Sequence, residues 1–285
     1  MLLNVESLFG SSNMIYFSVL IHEYPSSFDD IVSSLNFFCK DDFKIVVCVS
    51  HELKEALEYY PNVIINEEKV YTGYGDGSVF FAHVSNLNLI YGRLSPDDLF
   101  VLHGSNELYV KNFRKHDLVN VRGKIFVEPL DENVHYLFVK DEELFQRPFY
   151  QRPCEGIVLD GAQLLVHEEY LSSLYSSYRI FYVTNCGFSI RKFLRKIKFL
   201  FYRAPRLVPF FLVPLITAYE ELLFPTLFQC KSRTTSHCYL DFRNNLEMQF
   251  ELCAGLIENP NFLSLKRVDR QPNKIRDFLN AQRKK

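Results

Sequence analysis

"MIYFSVLIH", residues 14–22, and "FKIVVCVS", residues 43–50, decide the fold. Each is a continuous apolar run rich in β-branched and aromatic residues, the pattern of a strand covered on both faces. Between them "SSFDDIVSSLNFFC" (26–39) predicts a helix, with Ser27 as N-cap candidate, Asp29 and Asp30 in the first turn, and Ile31, Leu35 and Phe38 at helical spacing. Outward from this unit the alternation continues. "HELKEALEYY" (51–60) reads as a helix, "NVIIN" (62–66) as a short strand, "DGSVFFAHVSNLNLIYGRL" (76–94) as a longer helix and "DDLFVLHG" (97–104) as a strand. Strand and helix in turn, with fully apolar strands, predict an α/β fold: a Rossmann-type, mostly parallel sheet flanked by helices on both faces. Ligands of such sheets bind beyond the carboxyl ends of the strands.

The second half is less regular. Strands are expected at "KIFVEP" (124–129) and "GAQLLVH" (161–167), and helices at "EEYLSSLYSSY" (168–178) and across "TAYEELLFPTLF" (217–228). Between those helices, seven Lys or Arg interleave with Phe, Tyr and Leu over residues 189–216. Internal repeats, low-complexity tracts and linkers are missing, so one domain over 1–285 is expected.

Composition narrows the classes. The chain is 48% hydrophobic and 23% charged, ordinary for a folded globular protein, and its net charge of −2 gives no global case for nucleic acid. Seven scattered cysteines without a CxxC pair argue against a disulfide framework or a zinc site and fit a reducing cytoplasm. The N-terminus does not read as a secretory signal, and the apolar run "LVPFFLVPLI" (207–216) is too short to span a bilayer. Walker A, GxSxG and HExxH motifs are missing, "GYGDG" (73–77) is not GxGxxG, and none of the eight histidines sits at metal-ligand spacing. The DxD pattern that holds a divalent cation in many sugar-nucleotide transferases is also missing.

One acid pair, Glu220 and Glu221, precedes an apolar run in "TAYEELLFPTLF". With its neighbours it carries a resemblance. Glu220, Glu221, Leu222, Leu223, Phe224, Pro225 and Thr226 are similar to the Asp-Glu, two residues, aromatic, one residue, Thr motif of the core-2/I-branching β-1,6-N-acetylglucosaminyltransferase family. "GDGSVFFAHVSNLNLI" (75–90), "LFVLHGSNELYVKN" (99–112), "DGAQLLVHEEYLSSL" (160–174) and "NPNFLSLKRVD" (259–269) resemble further family segments, in the family's order. The chain departs from the pattern at "CVS" (48–50), at Asn106, at Glu220, and at two leucines where the family has tryptophans, positions that bear on the identity of sugar and acceptor.

The resemblance implies a GT-A-type, inverting, metal-independent glycosyltransferase. Residues 14–130 would form its nucleotide-sugar half and 131–285 its acceptor and catalytic half. The donor implied is a UDP-sugar, UDP-N-acetylglucosamine first, and the acceptor a surface polysaccharide, lipopolysaccharide or lipid-linked saccharide. No cofactor or metal is implied. Glu221 falls on the catalytic glutamate, supported by Glu220 and Thr226. A general base beside an apolar wall has a raised basicity, which suits Glu221; an acid pair at a helix N-terminus is the structural alternative. Lys266, Arg267, Arg270, Arg243, Ser50 and Ser78 are the nucleotide and phosphate candidates, since fixed cations can meet the leaving diphosphate. His103, Gly104, Asn106, Gly161 and Gln163 are the sugar candidates.

The basic, aromatic segment has two readings. It is either an interfacial anchor meeting lipid through Arg191, Lys192, Arg195, Lys196, Lys198 and Arg203, or a helix packed on the core. The first reading puts the chain on the cytoplasmic face of the plasma membrane as a peripheral protein, and it leaves open a non-catalytic surface protein that retains the fold. Nucleic acid is not expected as a partner.

Overall fold

A computed structural model describes residues 14–21, 25–49, 60–73, 76–120, 128–129, 150–151, 157–197, 210–216, 219, 223–224, 227–228, 237–239, 255, 258, 263–266 and 268–283. The elements follow in chain order. They begin with β1 (Ile15–Ile21), α1 (Pro25–Phe38), β2 (Phe43–Val49), β3 (Val63–Asn66), α2 (Ser78–Ile90), β4 (Leu99–His103), β5 (Leu108–Tyr109) and α3 (Lys115–Asn120). Next come β6 (Glu128–Pro129), β7 (Tyr150–Gln151), β8 (Val158–Asp160), α4 (Gly161–Val166), α5 (Glu168–Val183) and α6 (Asn185–Lys196). The last are α7 (Val213–Ile216), β9 (His237–Tyr239), β10 (Ser264–Lys266) and α8 (Lys274–Gln282).

The main sheet has five strands in the order β3-β2-β1-β4-β8, parallel except where β8 runs against β4. Every residue of β1 is buried, as a run apolar but for Ser18 requires of a central strand. The pleat sends Ile15, Phe17, Val19 and Ile21 into one core with Phe28, Ile31 and Leu35 of α1. Tyr16 and Leu20 enter a second core on the other face, with Phe80, Phe81, Val84 and Leu87 of α2 and Tyr175, Tyr178 and Tyr182 of α5. Residues of β2 and β4 alternate in the same way, Val46 and Phe100 to one side, Val47 and Val101 to the other. The expected α/β architecture, a mostly parallel sheet flanked by helices, is therefore present. The chain reverses its strand order between β1 and β4, which opens a topological switch point there.

A smaller sheet runs β5-β10-β9, so the C-terminal strand returns to the chain leaving β4. Helix α8 then closes over the first helix. Asp30 of α1 accepts from Arg276 at 2.5 Å and from Asn280 at 3.2 Å, while Ile275 and Leu279 join the α1 core.

Several expectations are corrected. Helix α1 begins at Pro25, whose fixed φ and missing N–H suit a first helical position, so Ser27 is a buried residue inside the helix and not its cap. The expected strand at 161–167 is helix α4, with the strand just before it. Only Gly161 and Leu164 of α4 are buried, a spacing of one helical turn, and Val166 is 79% exposed. Of 124–129 only Glu128–Pro129 is described, as a strand. The helix expected at 51–60 lies outside the described residues except for Tyr60, which belongs to no element. Around the acid pair, Leu223 N–H bonds Tyr219 O and Phe228 N–H bonds Phe224 O, the helical pattern expected there.

Candidate functional site at the switch point

The carboxyl end of β4 leads into the turn Gly104–Glu107. Glu107 is buried and closes this turn on itself: it accepts from Gly104 N at 3.3 Å and donates its own N–H to Gly104 O at 3.1 Å. Its other carboxylate oxygen accepts from Ser264 Oγ of β10 at 2.8 Å. Val268 N–H donates to Asn106 O at 2.9 Å, and Arg270 Nε to Ser105 Oγ at 2.7 Å. Residues far apart in sequence are thus brought together beside the switch point: His103, Gly104 and Asn106 with the segment that carries Lys266 and Arg270. Arg270 is half-buried and its guanidinium is fixed by Ser105, a suitable posture for meeting an anion. The His103 ring is 2% exposed, with its centroid 6.0 Å from Phe17 and 5.8 Å from Tyr109, so this position offers the turn its backbone and a packed ring.

Ser78 begins α2 at the same edge, and its polar groups are occupied. Its Oγ accepts from Gly73 N at 2.7 Å and donates to Gly73 O at 3.2 Å, and its N–H bonds Asp76 Oδ1 at 3.0 Å. The hydroxyl closes the loop from β3 to α2, with the side chain wholly buried.

Gly161 and Gln163 do not join this site. Strand β8 is antiparallel to β4, so its end at Asp160 pairs with Leu99, the first residue of β4, and Gly161 N–H bonds Asp98 O. The length of β4 separates them from the Gly104 turn, at about 3.3 Å per residue. A Cβ on Gly161 would lie 2.1 Å from Ser95 O, so the glycine there serves a close backbone approach.

Ser50, Glu220, Glu221, Thr226, Arg243, Arg267, Lys198 and Arg203 lie outside the described residues, as does the side chain of Lys266. Tyr219 and Phe224, on either side of the acid pair, both pack on Phe80 in the first turn of α2, at ring distances of 5.3 and 4.7 Å.

Arg191 is not on the surface. Its side chain is 0% exposed and pairs with Asp76 at 2.5 Å. It also donates from Nε to Phe181 O at 2.8 Å, bonds Tyr71 O, and lies 4.6 Å over the Tyr182 ring. One helical turn before it, a Cβ on Gly187 would lie 2.4 Å from Ile180 O, so this side of α6 is pressed onto α5. The expectation that Arg191 meets lipid is therefore overturned. Lys192 and Lys196 are exposed.

Sequence reasoning missed a polar network beneath α2. Ser18, in the middle of β1, bonds His83 Nδ1 at 2.7 Å. Asn86 donates to Ser18 Oγ at 2.9 Å and to Val46 O at 3.0 Å, while Asn66 donates to Ser85 Oγ at 2.8 Å and Asn86 Oδ1 at 3.0 Å. Ser85 passes on to Glu68 at 2.8 Å, which also takes Tyr175 Oη and Arg179 Nε. The legible trace was His83, Ser85 and Asn86 in "HVSN" (83–86), polar residues clustered in the middle of a largely apolar helix. Burial pushes the Glu68 carboxyl up, but hydrogen bonds from Tyr175, Ser85 and Arg179 outweigh it and hold the group below its ordinary range. Tyr175 is raised by burial and by Glu68.

A group depressed in the fold contributes stability above its unfolded pKa and loses it as pH falls through the folded value. Glu68→Gln should therefore cost about 1–2 kcal/mol near neutrality, with the gap to wild type closing as pH drops below the carboxylate range. Urea titrations at a series of pH values test this, and a gap that stays constant in acid refutes it.

The buried thiols are inert: burial pushes Cys39 up to about 11 and Cys48 up to about 12. Among the described residues, no three His, Cys, Asp or Glu are grouped to hold a metal ion, and no helix is long and apolar enough to cross a membrane. No family model matches the chain, and no curated protein matches it significantly.

Proposed function

We propose that the chain is an inverting, metal-independent glycosyltransferase of the GT-A type. It moves a sugar, N-acetylglucosamine first, from a UDP-sugar to a hydroxyl of a surface glycan or lipid-linked saccharide. One observation supports this most: the turn after β4, at the switch point of a Rossmann-like sheet, is tied by Glu107–Ser264, Asn106–Val268 and Ser105–Arg270 to a segment rich in cations. Arg270, with Lys266 four residues before it in the chain, would meet the diphosphate. In the transfer, Glu221 takes the proton of the acceptor hydroxyl as its oxygen bonds to the anomeric carbon. The bond to UDP breaks, and UDP leaves with the electron pair. Gly161 and Gln163 take no part.

Calorimetry with UDP and a set of UDP-sugars, followed by donor turnover in EDTA, tests the reading. Binding of UDP and turnover that survives chelation are expected. Turnover abolished by chelation would refute the metal-free mechanism, and a chain that binds no UDP is not this enzyme.

A further inference from the structure

We infer that the outer face of α6 docks on an anionic lipid surface. The inference stands independently of the reading of the switch-point site. Residues 170–219 hold eight Lys or Arg and not one Asp or Glu. Two of those cations are paired with carboxylates, the exposed Arg179 with Glu68 and the buried Arg191 with Asp76. Lys192 and Lys196 are exposed and have no ion pair among the described residues. The same stretch holds Ile180, Ile190, Phe193 and Phe211, four of the seven exposed large apolar side chains among the described residues, so charge and exposed apolar surface coincide.

The helix arranges them. At about 100° per residue, Cys186, Ile190 and Phe193 form one stripe, and Lys192 and Lys196 lie beside it. Gly187 and Arg191 occupy the opposite side, against α5. Ile190 is 41% and Phe193 61% exposed. A water-dissolved polyanion would satisfy the lysines and leave these two side chains wet, and a second copy would bring like charges together. A bilayer interface receives both, with the apolar stripe at the acyl boundary and the lysines among anionic headgroups.

The test is sedimentation of the full chain with phosphatidylcholine vesicles, with and without phosphatidylglycerol. Lys192→Gln with Lys196→Gln, and separately Phe193→Ser, alter only solvent-facing side chains; circular dichroism checks that each variant folds. Co-sedimentation with the anionic vesicles alone is expected, weakened about fivefold for each lysine replaced and about tenfold by the loss of Phe193. Equal binding to neutral vesicles, no binding to either, variants that bind like wild type, or self-association that the same substitutions abolish would each overturn the proposal. UDP binding should be unchanged in both variants, so this docking and glycosyl transfer fail separately.

Discussion

Asp76→Ala should destabilise the fold by about 3–5 kcal/mol, because it leaves a guanidinium buried without its counter-charge. The Arg191 side chain is 0% exposed and that of Asp76 4%, so water cannot replace the lost partner. The carboxylate does more than pair. Its other oxygen accepts from Ser78 N at the first residue of α2, so the substitution also frees a helix-end donor. Arg191→Met should cost less. A Cβ on Gly73 would lie 2.8 Å from Asp76 Oδ2 and 3.5 Å from Arg195 Nη1, so a second cation stands close to the carboxylate once Arg191 is gone. The double variant Asp76→Leu with Arg191→Met should be more stable than the two single losses summed, since buried pairs are often replaceable by apolar residues of like volume. Urea denaturation followed by circular dichroism measures all three. A loss under about 1 kcal/mol for Asp76→Ala would mean that the pair is solvated.

Glu221→Gln should lower glycosyl transfer about 10²–10⁴-fold and leave UDP binding nearly unchanged. The substitution keeps shape and hydrogen-bonding capacity and removes only the ability to take a proton. Glu220→Gln is the control. On the proposed reading Glu220 only supports the base and takes no proton itself, so a smaller loss is expected. Single-turnover rates with a saturating UDP-sugar separate chemistry from binding. A larger loss in Glu220→Gln, or a Glu221→Gln variant that keeps more than about a tenth of the transfer rate, would refute Glu221 as the base.

The central sheet was legible because β1 and β2 are apolar on both faces, a requirement of their position and independent of any partner. Helix α4 was misread because six residues are too few for periodicity to arbitrate: "GAQLLV" is apolar enough for a strand, and only the exposure of Val166 reveals the helical turn. Arg191 was misread for a different reason. Within a run of cations, sequence does not say which one turns inward, and the clue was Gly187, four residues earlier on the same face. The polar network needed Ser18, Asn66 and Glu68 from separate elements, so only the helix contribution at 83–86 left a trace. At the site itself, the approach of Arg270 to Ser105 needed a contact across 165 positions, and the antiparallel course of β8 that puts Gly161 and Gln163 at the other end of β4 is a direction no local pattern encodes.

The clasp between α1 and α8 sets an order of assembly. Asp30 meets Arg276 across 246 positions of chain, and Ile275 and Leu279 complete a core most of whose other members lie between Ile15 and Leu118. A ribosome adding residues one at a time has long since released β1, α1 and β2 when these side chains appear. Until then the core around α1 lacks the cover that α8 supplies, and closing so long a loop is slow. The earliest elements made are thus the last to be sealed, and during synthesis Phe28, Ile31 and Leu35 form the apolar face most in need of a chaperone.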